Sequence, residues 1–169
     1  MKFNNSKTII GMRIRLFAVT VLVLVYMVLA YVAGIIKFPV FGMNDNIITP
    51  IVIGVYILYA IYPMILNYQY ISYSDEDDKL EFRYFTSGII GGKKNAIAVK
   101  KSDFAGYKRE KKFFGLIQSI TIFHQLPQGV AKYPPVYISI LNSKEKAAIL
   151  DSLYRHTPGD AVAVDKEHE

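Results

Sequence analysis

The run LFAVTVLVLVYMVLAYVAGII, residues 16–36, is 21 residues long and contains no charged side chain. A second uncharged run, IITPIVIGVYILYAIYPMIL, occupies residues 47–66. An α-helix rises about 1.5 Å per residue, so about 20 apolar residues cross the roughly 30 Å hydrocarbon core of a bilayer. Because only ten residues separate the two runs, the pattern predicts a transmembrane helical hairpin.

A cleaved signal peptide is the alternative for the first run, since Arg13 and Arg15 precede it. The run is longer than the 7–15 residues of a typical signal-peptide core, and no A-x-A-type cleavage site follows it. Neither run contains an ionisable residue other than tyrosine. Transport and ion pathways usually need such residues inside the membrane, so the hairpin is typical of an anchor.

The residues before the first run indicate the orientation of the hairpin. No acidic residue occurs among the first fifteen residues, and the basic ones are Lys2, Lys7, Arg13 and Arg15. Basic flanks stay on the cytoplasmic side, so we expect both termini in the cytoplasm and the loop outside. Thr49 followed by Pro50 resembles an N-cap and first helical residue, which predicts that the second helix begins there.

From residue 68 the pattern changes to short segments of alternating or β-branched residues, as in LEFRYFT at 80–86. The predicted strands are 68–74, 80–86, 96–99, 104–110, 116–123 and 136–141. We expect Ile97 and Val99 to point inward, and Phe104 and Tyr107 to be core residues.

The segment NSKEKAAILDSLYRH at 142–156 has a helical period, and Asn142 with Glu145 fits a capping box. The spacing places Ala147, Leu150 and Tyr154 on one apolar face of this helix, with Ile149 and Leu153 beside them. The pattern as a whole predicts a membrane-anchored α+β protein, in which an antiparallel β-barrel or sandwich is capped by this C-terminal helix. The expected divisions are a basic flank and hairpin at 1–67, a β domain at 68–156 and a flexible tail at 157–169.

The stretch GGKKNAIAVKKSDFAGYKREKK, residues 91–112, carries eight basic residues against Asp103 and Glu110. This excess equals the formal charge of the whole chain, +6, so the basicity is local and favours a partner surface. If 96–101 and 104–110 are neighbouring strands, the stretch forms one patch on the barrel. The candidate residues for binding an anionic surface are Lys93, Lys94, Lys100, Lys101, Lys108, Arg109, Lys111 and Lys112.

The alternative for this stretch is a solvated charged face that keeps edge strands from pairing. Phe113 and Phe114 follow it directly. They fit insertion at a membrane interface or packing in the core, and we expect one of them to be a core residue.

Two N-terminal transmembrane helices, a run of short strands and a final helix together resemble the bacterial pleckstrin-homology-like (PH-like) membrane proteins. The supporting stretches are AIAVKKSDFAGYKREKKFFGLIQSITI and VYISILNSKEKAAILDSL, within a resemblance that covers most of residues 14–156. In the first stretch, Lys112, two aromatic residues, Gly115 and Leu116 precede an alternating strand. The resemblance implies a PH-like fold and a membrane-tethered binding module, of a kind that sometimes self-associates.

These observations predict a multi-pass protein of the bacterial inner membrane that acts as a scaffold or accessory subunit. The expected partners are membrane lipids and either another membrane protein or a second copy, bound for example by strand addition. Binding of anionic lipid through the basic stretch is the first alternative. A tether contacting ribosomal RNA is the second, although no specific RNA-binding motif is present and nucleic acid is not the expected partner.

Enzyme motifs are missing from the sequence. His124, His156 and His168 lack metal-ligand spacing, and SGIIGGKK lacks the Ser or Thr that ends a phosphate-binding loop. The acidic run at 75–78 lacks EF-hand spacing, and the chain has no cysteine. We therefore predict no catalytic residues, no metal site and no cofactor.

Overall fold

The computed structural model of the chain describes residues 1–86, 92–159 and 164–165. The chain divides into two compact units. The helical unit is Lys7–Ile65, and the sheet unit combines Met1–Ser6 with Leu66–Glu169. The first six residues, expected to flank the hairpin, therefore belong to the sheet unit.

The helical unit contains α1 (Ser6–Met27), which continues as a π-helical turn (Val28–Val32), and α2 (Asp45–Ile65). Both helices are long and apolar enough to span a membrane. The predicted start of α2 at Thr49 is wrong, because the helix begins at Asp45. The Thr49 hydroxyl instead lies 2.8 Å from the hydroxyl of Tyr26 on α1.

Hydrogen bonds between the helices set their register. The hydroxyls of Thr20 and Tyr56 are 3.1 Å apart, in addition to the contact between Tyr26 and Thr49. The two contacts are six residues apart on α1 and seven apart on α2, as expected for antiparallel neighbours. The same register brings Arg13 level with Pro63, close to the end of α2.

In the described part of the chain, the sheet unit contains two sheets and one helix. The first sheet has the order β1 (Lys2–Asn4), β2 (Gln69–Ser74), β3 (Lys79–Thr86) and β4 (Asn95–Lys100), and all its pairs are antiparallel. The second sheet comprises β5 (Phe104–Lys112), β6 (Ile117–Leu126), β7 (Gly129–Lys132), β8 (Val136–Tyr137) and β9 (Val164–Asp165). It is antiparallel except for β9, which pairs in parallel with β5. The helix is α3 (Ser143–Arg155).

One hydrophobic core lies between the two sheets and α3. It includes fully buried Tyr73 and Phe82 from the first sheet, Phe104 and Ile120 from the second, and Leu153 from α3. Strand pairing among the described residues does not close the sheets into a barrel. The predicted α+β class with two helices, antiparallel sheets and a C-terminal helix is confirmed at this level.

Five of the six predicted strands are confirmed as β2 to β6, but the sixth ends early, at Tyr137. The hydroxyl of Ser139 accepts the amide of Gln118, and the amide of Leu141 bonds back to Ile138, so the chain turns instead of extending. The predictions missed β1, β7 and β9, the last of which lies in the segment expected to be a flexible tail.

The capping box of α3 is confirmed, since the side chains of Asn142 and Glu145 each accept the other residue's amide at 2.9 Å. The predicted apolar face is confirmed for Ile149 and Leu153 and in part for Leu150, but not for Tyr154. The helix buries Ile149, Ser152 and Leu153, whereas Tyr154 is exposed. The two apolar residues are four positions apart, so one turn of the helix brings both onto the core.

The strands of the basic stretch are not neighbours, which corrects the expectation of a shared sheet. β4 pairs with β3, β5 pairs with β6, and a 3₁₀ turn at Lys101–Asp103 leads from one sheet to the other. Ile97 and Val99 are buried as predicted, and so is Phe104, while Tyr107 is partly buried against the core.

Candidate functional site: an aromatic hairpin tip

The strand register gives the sheet unit two distinct ends. Gln69 at the start of β2 pairs with Thr86 at the end of β3, and the buried side chain of Asn5 bonds to the backbone of Gln69 and Ile71. We call this the helix-attached end, because α1 follows Asn5 directly and α2 ends four residues before Gln69. The β2–β3 turn, residues 75–78, lies at the opposite end.

Contacts between the two sheets show which end each part of the second sheet occupies. The side-chain oxygen of Gln69 accepts the amide of Tyr137 at 2.9 Å, and Tyr137 pairs with Ser119 near the start of β6. The backbone amide of Lys101, just before β5, bonds to the Asp78 carbonyl at 2.9 Å. β5 therefore runs from the opposite end to the helix-attached end, where the β5–β6 turn lies.

This turn exposes three large apolar side chains. The last strand pair is Lys112 with Ile117, and the four residues between them form the turn. Phe113 exposes 71% of its reference area, Phe114 109% and Leu116 57%. We call these three residues the aromatic tip. The expectation that one phenylalanine packs in the core is wrong.

The backbone of the aromatic tip is unfavourable for phenylalanine. The φ angles are 50° at Phe113, 53° at Phe114 and 83° at Gly115, all in the left-handed region. This conformation costs a residue other than glycine roughly 1–2 kcal/mol, and Gly or Asn is the usual choice. Since the two rings do not pack in the core, folding does not account for phenylalanine at these positions.

A second layer of side chains holds the turn in shape. The Gln118 side-chain amide donates to the Gly115 carbonyl at 2.8 Å and accepts from the guanidinium of Arg109 at 3.3 Å. The Nε atom of Arg109 is buried and has no hydrogen-bond partner among the described residues. Arg109, predicted as a surface-binding residue, is half-buried, and its hydrogen bond to Gln118 supports the turn that carries the aromatic tip.

Four of the predicted basic residues lie at the helix-attached end with the aromatic tip. Lys111 and Lys112 come directly before Phe113, and both are exposed. Lys93 and Lys94 are exposed just before β4, whose first residue, Asn95, pairs with Tyr84 at this end. The residues at this end are Lys93, Lys94, Lys111 and Lys112.

Glu110 partly neutralises the basic residues of β5. Its carboxylate lies 2.8 Å from the ammonium of Lys108 and 3.9 Å from that of Lys112. The hydrogen bond from Lys108, together with the positive charges of Lys112 and Lys132, lowers the pKa of Glu110 despite its partial burial. Three cations thus surround one carboxylate, which leaves this surface of β5 positive.

The remaining two predicted residues lie at the opposite end. Lys100 ends β4 across from Lys79, and Lys101 donates to the backbone carbonyl of Asp75 at 2.8 Å. A six-residue strand is about 20 Å long, so β4 separates this pair from Lys94. The structure therefore brings four of the eight residues to the helix-attached end and divides the rest between β5 and the opposite end.

The opposite end contains a polar network that the sequence did not reveal. The Asp75 carboxylate is bonded to the Met1 amino group and to the hydroxyl of Ser152, which lies 2.8 Å from the hydroxyl of Tyr73. Burial raises the pKa of Tyr73 to about 12. Burial also acts to raise the pKa of Asp75, but the bonds from Met1 and Ser152 and the charge of Lys101 outweigh it and hold this pKa below its usual value.

No family model, curated protein or solved structure matches the chain. The resemblance to PH-like membrane proteins therefore stays an expectation from the sequence pattern. The helix-attached end combines two features of a binding surface, which are the exposed aromatic tip and the exposed lysines beside it.

Proposed function

We propose that this chain is a bacterial inner-membrane protein in which two transmembrane helices anchor a PH-like domain at the cytoplasmic surface. It acts there without catalysis, as a scaffold or as an accessory subunit of a membrane complex. The observation that carries the proposal is the attachment of the helices. The chain enters α1 from β1 and leaves α2 into β2, and these strands are hydrogen-bonded neighbours in one sheet. The start of α1 and the end of α2 therefore lie on the same side of any bilayer that the two helices cross.

The dimensions of the helical unit support a membrane span. Arg13 lies level with Pro63, and nineteen residues separate Arg13 from Val32 at the other end of the first helical stretch. At 1.5 Å per residue this distance is about 29 Å, close to the thickness of a hydrocarbon core. Lys7, Arg13 and Arg15 all lie in the part of α1 next to the sheet unit, which favours a cytoplasmic location for that unit.

A scaffold also needs a surface for its partner, and the outer edge of β4 offers one. Among the described residues, β4 pairs only with β3, so its second edge has unpaired backbone groups. The side chains of Ala96 and Ala98 on this strand are small and exposed. An extended segment of another membrane protein, or of a second copy, can add to such an edge as a further strand.

Cysteine labelling tests the anchor and its orientation, because the chain has no native cysteine. Lys37→Cys places a thiol in the connection between the helices, and Gln128→Cys places one in the β6–β7 turn. In intact spheroplasts a membrane-impermeant maleimide should label the first variant, and should label the second only after permeabilisation. Equal labelling of both in intact spheroplasts would contradict the proposal.

Purification in a mild detergent tests the scaffold role. A defined complex with other membrane proteins would support an accessory subunit, and a homo-oligomer would support self-assembly. A monomer that co-purifies with no other chain, from cells expressing it at native levels, would overturn the scaffold role and leave only the anchor.

A further inference from the structure

We propose that the aromatic tip inserts into the interface of an anionic bilayer, with the neighbouring lysines in contact with lipid phosphates. The inserted residues are Phe113, Phe114 and Leu116, and the lysines are Lys93, Lys94, Lys111 and Lys112. The inference rests on the proposed function in one respect, since it requires that the two helices cross the membrane.

The exposure and type of the tip residues suit a membrane interface. Exposed Phe and Leu side chains gain free energy when they leave water, and interfacial segments bury such residues at the boundary between headgroups and acyl chains. Phe113 and Phe114 point away from the core on adjacent left-handed residues, and Leu116 adds a third exposed apolar side chain. The hydrogen bond from Gln118 to the Gly115 carbonyl holds the turn, and with it the three side chains, in this arrangement without a bound surface.

The length of the connecting chain keeps the tip within reach of the bilayer. Seven residues of helix separate Ser6 from Arg13, a distance of about 10 Å. Arg13 is level with Pro63, in the last turn of α2, so it lies near the edge of the hydrocarbon core. The headgroup layer adds about 5–8 Å on each side of that core. The residues that join the sheet unit to the helices are thus separated from the headgroup layer by only a short length of chain, and the strand register puts the aromatic tip at this same end of the sheet unit.

Charge favours the same arrangement independently. The cytoplasmic leaflet is negative, and its attraction for Lys and Arg falls off within a Debye length of about 8–10 Å. Four exposed lysines occupy the helix-attached end, whereas at the opposite end Lys79, Lys100 and Lys101 offset most of the charge of the four acidic residues at 75–78. An anionic surface therefore attracts the helix-attached end more strongly than the opposite end.

The test uses full-length protein in nanodiscs, with an environment-sensitive fluorophore on one introduced cysteine at a time. Phe114→Cys reports the tip, Gln128→Cys reports the turn at the opposite end, and Leu22→Cys, exposed in the middle of α1, reports the span. Quenchers are lipids that carry nitroxide near the headgroup or deep in the acyl chain. In discs containing phosphatidylglycerol we expect shallow quenching at position 114, deep quenching at 22 and none at 128.

The three labels separate the two proposals. Deep quenching at 22 without shallow quenching at 114 would overturn the insertion of the tip and leave the membrane anchor intact. A label at 22 that stays unquenched would overturn the anchor itself. A tip that is shielded in native membranes but unquenched in protein-free discs would show that a protein partner covers it, which also overturns the lipid proposal.

Charge reversal tests the role of the lysines. Lys111→Glu with Lys112→Glu should reduce the quenching of the tip in anionic discs at least several-fold, because repulsion replaces attraction. Lys79→Glu with Lys100→Glu makes the same change of charge at the opposite end and should leave the quenching unchanged. An equal effect of both pairs, or none from the first pair, would overturn the headgroup contact.

Discussion

The two ends of the sheet unit differ in how their aromatic and charged residues are used. At the opposite end, Phe104 and Tyr73 are fully buried, and the Asp75 carboxylate is satisfied by Met1 and Ser152. At the helix-attached end, Phe113 and Phe114 are exposed on a backbone that disfavours them. Folding explains the buried aromatic residues at the opposite end, but it does not explain the exposed phenylalanines at the helix-attached end.

This difference indicates which part of the sheet unit has a role beyond folding. Sequences usually agree with their structure at every level, and departures concentrate at functional sites. The aromatic tip departs twice, in solvent exposure and in backbone conformation, whereas the Asp75 carboxylate at the opposite end is bonded to Met1 and Ser152. The aromatic tip is therefore the part of the sheet unit whose residue types folding explains least.

The largest expected effect comes from comparing two phenylalanines at the two ends of β5. Phe104→Ala should lower the free energy of unfolding by about 3–5 kcal/mol, since it empties a fully buried site. Phe114→Ala should change it by less than about 0.5 kcal/mol, since the ring is exposed. Denaturant unfolding followed by circular dichroism measures both. A similar loss for Phe114→Ala would show that the tip serves the fold.

The next effect concerns the link that holds the helix-attached end together. Asn5→Ala removes two hydrogen bonds and leaves the Gln69 carbonyl and the Ile71 amide unpaired, which should cost about 2–4 kcal/mol. Hydrogen exchange should then speed up at the amide of Ile71 in particular. The control Asn95→Ala removes an exposed side chain at the same end, and it should have little effect on either measurement. If the two variants behave alike, Asn5 is not the link.

The smallest effect is a pH dependence at the opposite end. Because the pKa of Asp75 is lower in the folded chain than its usual value of about 4, its ionised form stabilises the fold. This contribution is complete above pH 4 and is lost as the pH falls through the lower, folded pKa. The stability of Asp75→Asn should therefore vary less with pH below 4 than that of the parent chain.

The matched control for this pH dependence is Asp77→Asn. It makes the same change of charge in the same turn, at an exposed residue whose positive φ suits asparagine. Thermal unfolding between pH 2 and pH 6 compares the three chains. Parallel curves for the parent chain and Asp75→Asn would show that the network around Asp75 adds no pH-dependent stability.

Local patterns identified most of the elements but not their pairing. The alternation in residues 80–86 and the capping box at Asn142 depend on residues close in sequence, and both predictions are confirmed. The position of β1 depends on β2, more than sixty residues away, so three residues of ordinary composition carried no signal for it. The period of α3 also predicts Tyr154 on the apolar face, but the core that selects Ile149 and Leu153 comes from other elements and leaves Tyr154 exposed.

The candidate site shows the same limit. In the sequence, Phe113 and Phe114 directly follow a stretch with a local excess of basic residues. Hydrophobicity alone, however, does not distinguish a core phenylalanine from an exposed one. Spacing along the chain also suggested one patch of eight basic residues. The turn at Lys101–Asp103 divides them, since it sends the chain from one sheet to the other.

The two apolar helices, the β-rich region and its final helix follow from the sequence, because hydrophobic period and turn residues act over a few neighbouring positions. The tertiary structure is needed to show that both helices join adjacent strands, that the β5–β6 turn lies at the same end, and that its phenylalanines are exposed. Each of these depends on which distant strands exchange hydrogen bonds, and that choice follows from the packing of the whole core.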